Sequence, residues 1–164
     1  MLRTAGGLTI NQTTQFAGYY GSFYSTVDQS DGTNPTAMTL NTTADADGVS
    51  IVSGSRITFA HAGTYNIQFS AQFHNTGGGG SGNTVNLWFR HNGVDEPWSD
   101  TKLTVPSNAP YVVAAWNIII SVATNDYVQL MWLTDNANIV IEAEPATANT
   151  PGIPSLILTA VQVR

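Results

Sequence analysis

Residues 73–92 read FHNTGGGGSGNTVNLWFRHN. The run from Gly77 to Gly82 has the composition of a flexible tether, and its flanks decide whether it joins two modules or loops out of one. Before it, Tyr65, Ile67, Phe69, Ala71 and Phe73 alternate with Asn66, Gln68, Ser70 and Gln72. A period of two with one apolar and one polar face is the mark of a strand in a layered sheet. After it, Val85, Leu87 and Phe89 alternate with Asn86, Trp88 and Arg90, and His91-Asn92-Gly93 punctuates the end. Two such strands joined by a Gly/Asn/Thr-rich connection read as a hairpin with a long tip. The part before the glycines is too short to bury a core alone. The reading is therefore a surface loop inside one domain.

The bulk numbers agree with one β-rich domain. The chain has 164 residues, and 42% of them are hydrophobic, which suits a single core. The most apolar stretch, near 112–122, is broken by Asn117 and Ser121 and is too short to cross a membrane as a helix. MLRTAGGLTINQ at the start holds no apolar core of a secretory signal. Charged residues make up only 10%, well below the usual quarter or so, so Thr, Asn, Ser and Gly carry the solvation. With five Lys+Arg against eleven Asp+Glu the formal charge is −6. An acidic chain whose solitary lysine is Lys102 has no basic footprint for nucleic acid. There is no cysteine, which excludes disulfides and thiolate metal sites.

No stretch has helical periodicity. Strand-like runs stand at 16–27, 36–43, 49–59, 64–74, 83–91, 99–105, 111–122, 126–135, 138–144 and 154–163. Turn chemistry separates them, at Asn34-Pro35, Asp47-Gly48, Asn92-Gly93, Asn125-Asp126 and Pro151-Gly152 among others. Many short strands at this spacing mean an antiparallel sandwich or barrel.

Some runs differ from the rest in being apolar on both faces. In 111–122, Val112, Ala114, Trp116, Ile118 and Ile120 share one side, with Val113, Ala115 and Ile119 on the other. The last run sets Leu156 and Leu158 against Ile157, Val161 and Val163. The first sets Tyr20 and Tyr24 against Tyr19 and Phe23. A second apolar face needs a cover, and a chain without helices supplies one most simply as a further copy of itself. Tyr20, Phe23, Val113, Trp116, Ile118, Leu158 and Val161 are the residues expected to form that interface and the core beneath it.

Two motifs reach a known family. Gly63-Thr64-Tyr65-Asn66-Ile67 resembles the G-x-Y-x-F element of C1q/TNF-like jelly rolls, and Asn125-Asp126-Tyr127-Val128-Gln129-Leu130 resembles the G-D-x-V-x-L element. Ser155–Leu158 stands in the place of the family's closing strand. From about Phe16 to Arg164 the chain is similar to the version of this domain in tailed-phage virion proteins, with VNLWFRHNG where those have an apolar strand ending in a charged turn. Ile67 departs from the pattern's aromatic and Asn125 from its glycine. The resemblance implies an all-β, antiparallel, ten-strand jelly-roll sandwich assembled as a homotrimer, with first, middle and last strands at the three-fold axis. Those are the runs that are apolar on both faces.

Catalytic chemistry finds little to hold. His61, His74 and His91 form no metal-binding spacing, although a three-fold axis would gather three copies of His74. Asp45-Ala46-Asp47-Gly48 has half of a calcium loop, with Thr43 in a ligand position, and reads as a turn. Asp95-Glu96 and Glu142/Glu144 are carboxylate pairs with nothing to fix a glycosidase spacing. The expectation is no catalytic residue, no metal and no cofactor. Trp88 is odder, because the alternation that buries Val85, Leu87 and Phe89 turns it outward between Asn86 and Arg90. With Trp98 in GVDEPWSD, Trp88 and Arg90 become candidate contacts for a glycan or a protein receptor.

These readings converge on a non-enzymatic structural component of a tailed-phage virion. Residues 1–15, with Leu2, Leu8 and Ile10 as their few large apolar side chains, are expected to be an extended attachment arm on a displayed domain of residues 16–164. A capsid decoration protein, assembled in the host cytoplasm onto other virion proteins, fits the absence of a shaft. The knob of a tail or neck fibre that binds a host receptor or glycan is the alternative. A secreted C1q-like ligand or lectin comes last. Neither nucleic acid nor membrane insertion is expected.

Overall fold

In the computed structural model, residues 18–30, 32–77, 83–107 and 111–164 are described. They form thirteen strands: β1 (Tyr20–Ser25), β2 (Thr36–Ala37), β3 (Thr42–Asp47), β4 (Val49–Val52), β5 (Arg56–Phe59), β6 (Gly63–Asn75), β7 (Thr84–His91), β8 (Val94–Asp95), β9 (Thr101–Thr104), β10 (Tyr111–Val122), β11 (Tyr127–Thr134), β12 (Ile139–Ile141) and β13 (Leu156–Gln162). All pair antiparallel, in two sheets. Sheet I runs β10-β6-β13-β1-β3, with β12 also on β6. Sheet II runs β4-β5-β11-β7-β8, with β2 on β11 and β9 on β7.

Each of the ten sequence runs contains a strand. The number rises to thirteen for local reasons. Ser53 and Gly54 both take left-handed backbone, φ 52° and 73°, and fold residues 49–59 back on themselves as a β4–β5 hairpin. The polar β3 and the two-residue β8 carry too little apolar alternation to be recognised.

The hairpin expected across residues 73–92 does not form. β6 and β7 are not a hairpin: β6 pairs with β10, β13 and β12, and β7 with β11, β8 and β9. The chain between them crosses from one sheet to the other, and its residues 78–82 lie outside those described. Alternation fixes which face of a strand is apolar but not whether the next strand lies beside it or opposite it. Here the two apolar faces meet across the interior, where the rings of Phe69 and Phe89 stand edge to face with centroids 5.9 Å apart.

The core between the sheets is continuous. Sheet I contributes Tyr65, Ile67, Phe69, Ala71 and Phe73 from β6, with Phe23 from β1 and Leu156 and Leu158 from β13. Sheet II answers with Phe59, Val85, Leu87, Phe89, Val128, Leu130 and Trp132. Phe59 packs on Tyr65 at 4.5 Å and Phe73 on Trp132 at 6.0 Å, so aromatic pairs run the length of the sandwich. Each fully buried aliphatic or Phe side chain contributes roughly 1.5–3 kcal/mol.

Asn125 and Ile67, the two departures from the motifs, both fit their places in the fold. Asn125 sits at φ 68°, the left-handed region that glycine enters freely and that asparagine enters more readily than other residues. Ile67 is fully buried, so an aliphatic side chain fills the place of an aromatic one.

Candidate interaction surfaces

Alternation leaves each sheet an outward face. On sheet I that face is built in rows set by strand register. Ile119 on β10 aligns with Asn66 on β6, Asn66 with Val161 on β13, and Val161 with Tyr20 on β1. Two residues along, Asn117, Gln68, Thr159 and Ser22 make a polar row. The next is Ala115, Ser70, Ile157 and Tyr24. Val113, Ile119, Ile157 and Val161 are 59%, 63%, 42% and 46% exposed. Two apolar ridges, on β10 and on β13–β1, thus flank a polar trough on β6.

The residues expected at the interface and in the core beneath it divide accordingly. Tyr20, Val113 and Val161 are on the open outer face. Phe23 and Leu158 belong to the interior of the chain's own sandwich. Trp116 and Ile118 are half-buried on the inward side of β10 against the core, Trp116 edge-on to Phe69 at 4.5 Å. The arm residues Leu2, Leu8 and Ile10 lie outside the described residues.

At one end of this face His74 Nδ1 meets the Glu142 carboxylate. The Tyr111 ring lies 4.6 Å from the imidazole, and His74 Nε2 is buried without a partner. Glu144 beside the Tyr111 hydroxyl, then burial and the nearby charges of Glu142 and Asp28, push the Tyr111 pKa up to about 12. Beside this cluster Tyr24, Ile153, Pro145, Pro154 and Ile157 line a cavity of about 630 Å³. Local patterning does not reveal it, because its walls come from residues over a hundred positions apart.

The outward face of sheet II is polar and tied down. Asp126 accepts the Ala123 N–H at 2.8 Å, the Asn92 amide at 2.7 Å and His91 Nε2 at 2.9 Å. Those donors, Ala123 first, hold its carboxyl below the usual range. Asp135 is lowered likewise by the Thr84 hydroxyl and backbone N–H, both at 2.7 Å. Midway, Trp88 Nε1 and Arg90 Nε both donate to Asp95 Oδ1 at 2.7 Å. Arg90 is the larger cause of the lowered Asp95 pKa, and Trp88 adds to it. Trp88 is half-buried, whereas Trp98 is 102% exposed. Both line a groove of about 410 Å³ together with Asn86, Asp100 and Leu133.

The three histidines are dispersed. His61 stacks on Tyr19 at 3.6 Å, His74 meets Glu142 and His91 meets Asp126. Asp45 and Asp47 lie in strand β3 rather than in a loop, and Asp45 accepts the Tyr20 hydroxyl at 3.1 Å. Among the described residues, no three His, Asp or Glu side chains converge as a metal site.

A two-sheet antiparallel sandwich with this strand order is a C1q/TNF-like jelly roll. Among solved structures the chain is similar to murine APRIL, of the TNF family. The crystal structure of that protein at pH 5.0 gives a TM-score of 0.61 at 14% identity, covering 89% of this chain and 99% of APRIL. The structure at pH 8.5 gives 0.59 at 12% identity, with the same coverage. At such identity the likeness is one of fold. No protein-family model matches the chain, and no curated protein does.

Proposed function

We propose that this chain is a non-enzymatic structural module of a tailed-phage virion, a homotrimeric jelly roll displayed on the particle as a capsid decoration protein. The observation that carries the assembly is the pair of apolar ridges on the outer face of sheet I. Val113 and Ile119 form one, and Ile157, Val161 and Tyr20 the other, all exposed to solvent in the single chain. Such a surface is stabilised by a further copy. The fold adds weight, since TNF-like domains typically form homotrimers. The virion role rests on the sequence likeness to phage jelly rolls. Residues 1–15 are the arm that docks onto underlying shell proteins, and assembly takes place in the host cytoplasm. The Trp88–Trp98 groove favours a second reading, the knob of a fibre that binds a host surface.

The test is mass and location. Light scattering after size exclusion should give three times the 17.4 kDa of the chain at micromolar concentration. Mass spectrometry of purified particles should find the protein in the head fraction. A monodisperse monomer would overturn the assembly, and absence from particles would overturn the virion role. Recovery in the tail fraction would favour the fibre reading.

A further inference from the structure

Trp98 has no part in holding the fold together: it is 102% exposed. Yet its backbone is held in the left-handed region, φ 63°, where a bulky non-glycine residue is strained. The turn that carries it is fastened on both sides. The Glu96 N–H donates to the Phe89 carbonyl at 2.8 Å. Ser99 Oγ donates to the Glu96 carbonyl at 2.8 Å and accepts the Phe89 N–H at 3.0 Å. An indole presented to water from an anchored, strained turn is positioned for something outside the chain.

The rest of the groove is also organised in advance. Its half-buried wall is Trp88, whose indole N–H is fixed on Asp95. Directly across the β7–β11 register lies Met131, 2% exposed although it is not part of the core between the sheets. Asn86 Nδ2 donates to Asp100 Oδ2 at 2.8 Å, which orients a second carboxylate. Asp95, Glu96 and Asp100 all line the groove, and the Arg90 guanidinium is committed to Asp95. Lys102, aligned with Asn86 on β9, has its charge near Asp135.

From these residues we infer that the groove binds an uncharged pyranose, a neutral sugar residue of a surface glycan. The non-polar C–H face of the ring stacks on Trp98, and its hydroxyls donate to Asp95 and Asp100. Sugars supply several hydroxyl donors and no charge, which is what oriented carboxylates beside an aromatic plane can satisfy. Anionic sugars are repelled by the three carboxylates. Arg90 is then a positioning residue that aims Asp95, not the ligand contact its place in the sequence suggests. The groove lies within a single chain, so the inference is independent of the trimer and of the particle.

Saturation-transfer NMR with methyl glycosides of glucose, galactose, mannose and N-acetylglucosamine tests it, with sialyllactose and choline as charged controls. At least one neutral glycoside should receive saturation through its ring C–H protons, and the charged controls none. Trp98→Ala should weaken that binding at least tenfold with an unchanged circular dichroism spectrum, and Asp100→Asn should weaken it severalfold. Failure of all four glycosides at millimolar concentration would overturn the inference. So would binding that Trp98→Ala leaves intact, or a preference for choline, which would make the groove a cation site, or for sialyllactose.

Discussion

The two outward faces of the sandwich cover one core and could hardly differ more. The face of sheet I leaves Val113, Ile119, Ile157 and Val161 in water. The face of sheet II ties its polar side chains into fixed clamps on Asp126, Asp135 and Asp95. Apolar side chains in rows, unpinned by hydrogen bonds, gain most from an extended flat partner, because burial scales with area and needs no orientation. Pinned carboxylates beside an indole gain from a small ligand, because directional contacts are worth most when already aimed. Under the proposed function and the inferred sugar site, assembly and recognition fall on opposite sheets.

The comparison holds only if both faces depend on the common interior, and the largest expected effect tests that. Trp132 is wholly buried and packs on Phe73 across the sandwich. Trp132→Ala should cost about 3–5 kcal/mol, read as a lower urea midpoint. Loss of sheet I and sheet II signals in a single transition is expected. Two separate transitions would mean that the sheets are not one cooperative unit.

A smaller change should separate the faces. Val161 is exposed in the centre of the Ile119–Asn66–Val161–Tyr20 row. Val161→Asp should leave each chain folded while light scattering shows monomer in place of trimer. A buried unpaired charge at an interface costs several kcal/mol, whereas the same charge in water costs the monomer little. If the variant assembles as well as the parent, copies meet elsewhere than on sheet I.

How much of this was legible in the sequence depends on distance along the chain. The inward residues of β6 and β7 were readable, because alternation is a local property. So was the outward aspect of Trp88, and so were the apolar outer residues of β10 and β13. What alternation cannot encode is lateral partnership. β6 and β7 looked like a hairpin and instead face each other, since both arrangements present the same pattern. Trp116, flanked by apolar residues on both sides, read as belonging to the interface or to the core beneath it, and it leans on Phe69 from the inner side. Trp98 was singled out as a type, yet its strained turn depends on Ser99 reaching Phe89 ten residues back. The cavity beside Tyr111 was silent altogether, because Tyr24 and Ile157 meet only through the β1–β13 register.

The smallest expected effect probes the clamps of sheet II by pH. Asp126 is ionised in the fold with three donors on it, which lower its pKa. A carboxyl whose folded pKa lies below its unfolded value of about 3.9 contributes stability that is present above that value. That contribution is lost as pH falls through the folded pKa. Asp135 and Asp95 are lowered too, so the chain should lose stability below about pH 4 in steps that all belong to sheet II. Asp126→Asn keeps one oxygen, which in the place of Oδ2 still accepts from Ala123 and His91, but removes the charge and sets an NH2 group against the Asn92 amide. Hydrogen bonds to a charged group are worth roughly 1.5–3 kcal/mol each at most. In this partly exposed turn about 1 kcal/mol is expected at pH 7. The difference between parent and variant should shrink as pH falls from 5 to 2, because the parent then loses the charge that the variant never had. The residual acid sensitivity of the variant is owed to Asp135 and Asp95. Denaturant melts at a series of pH values measure both curves. A gap that stays constant down to pH 2 would mean that the charge on Asp126 contributes nothing and that the clamp holds by shape alone.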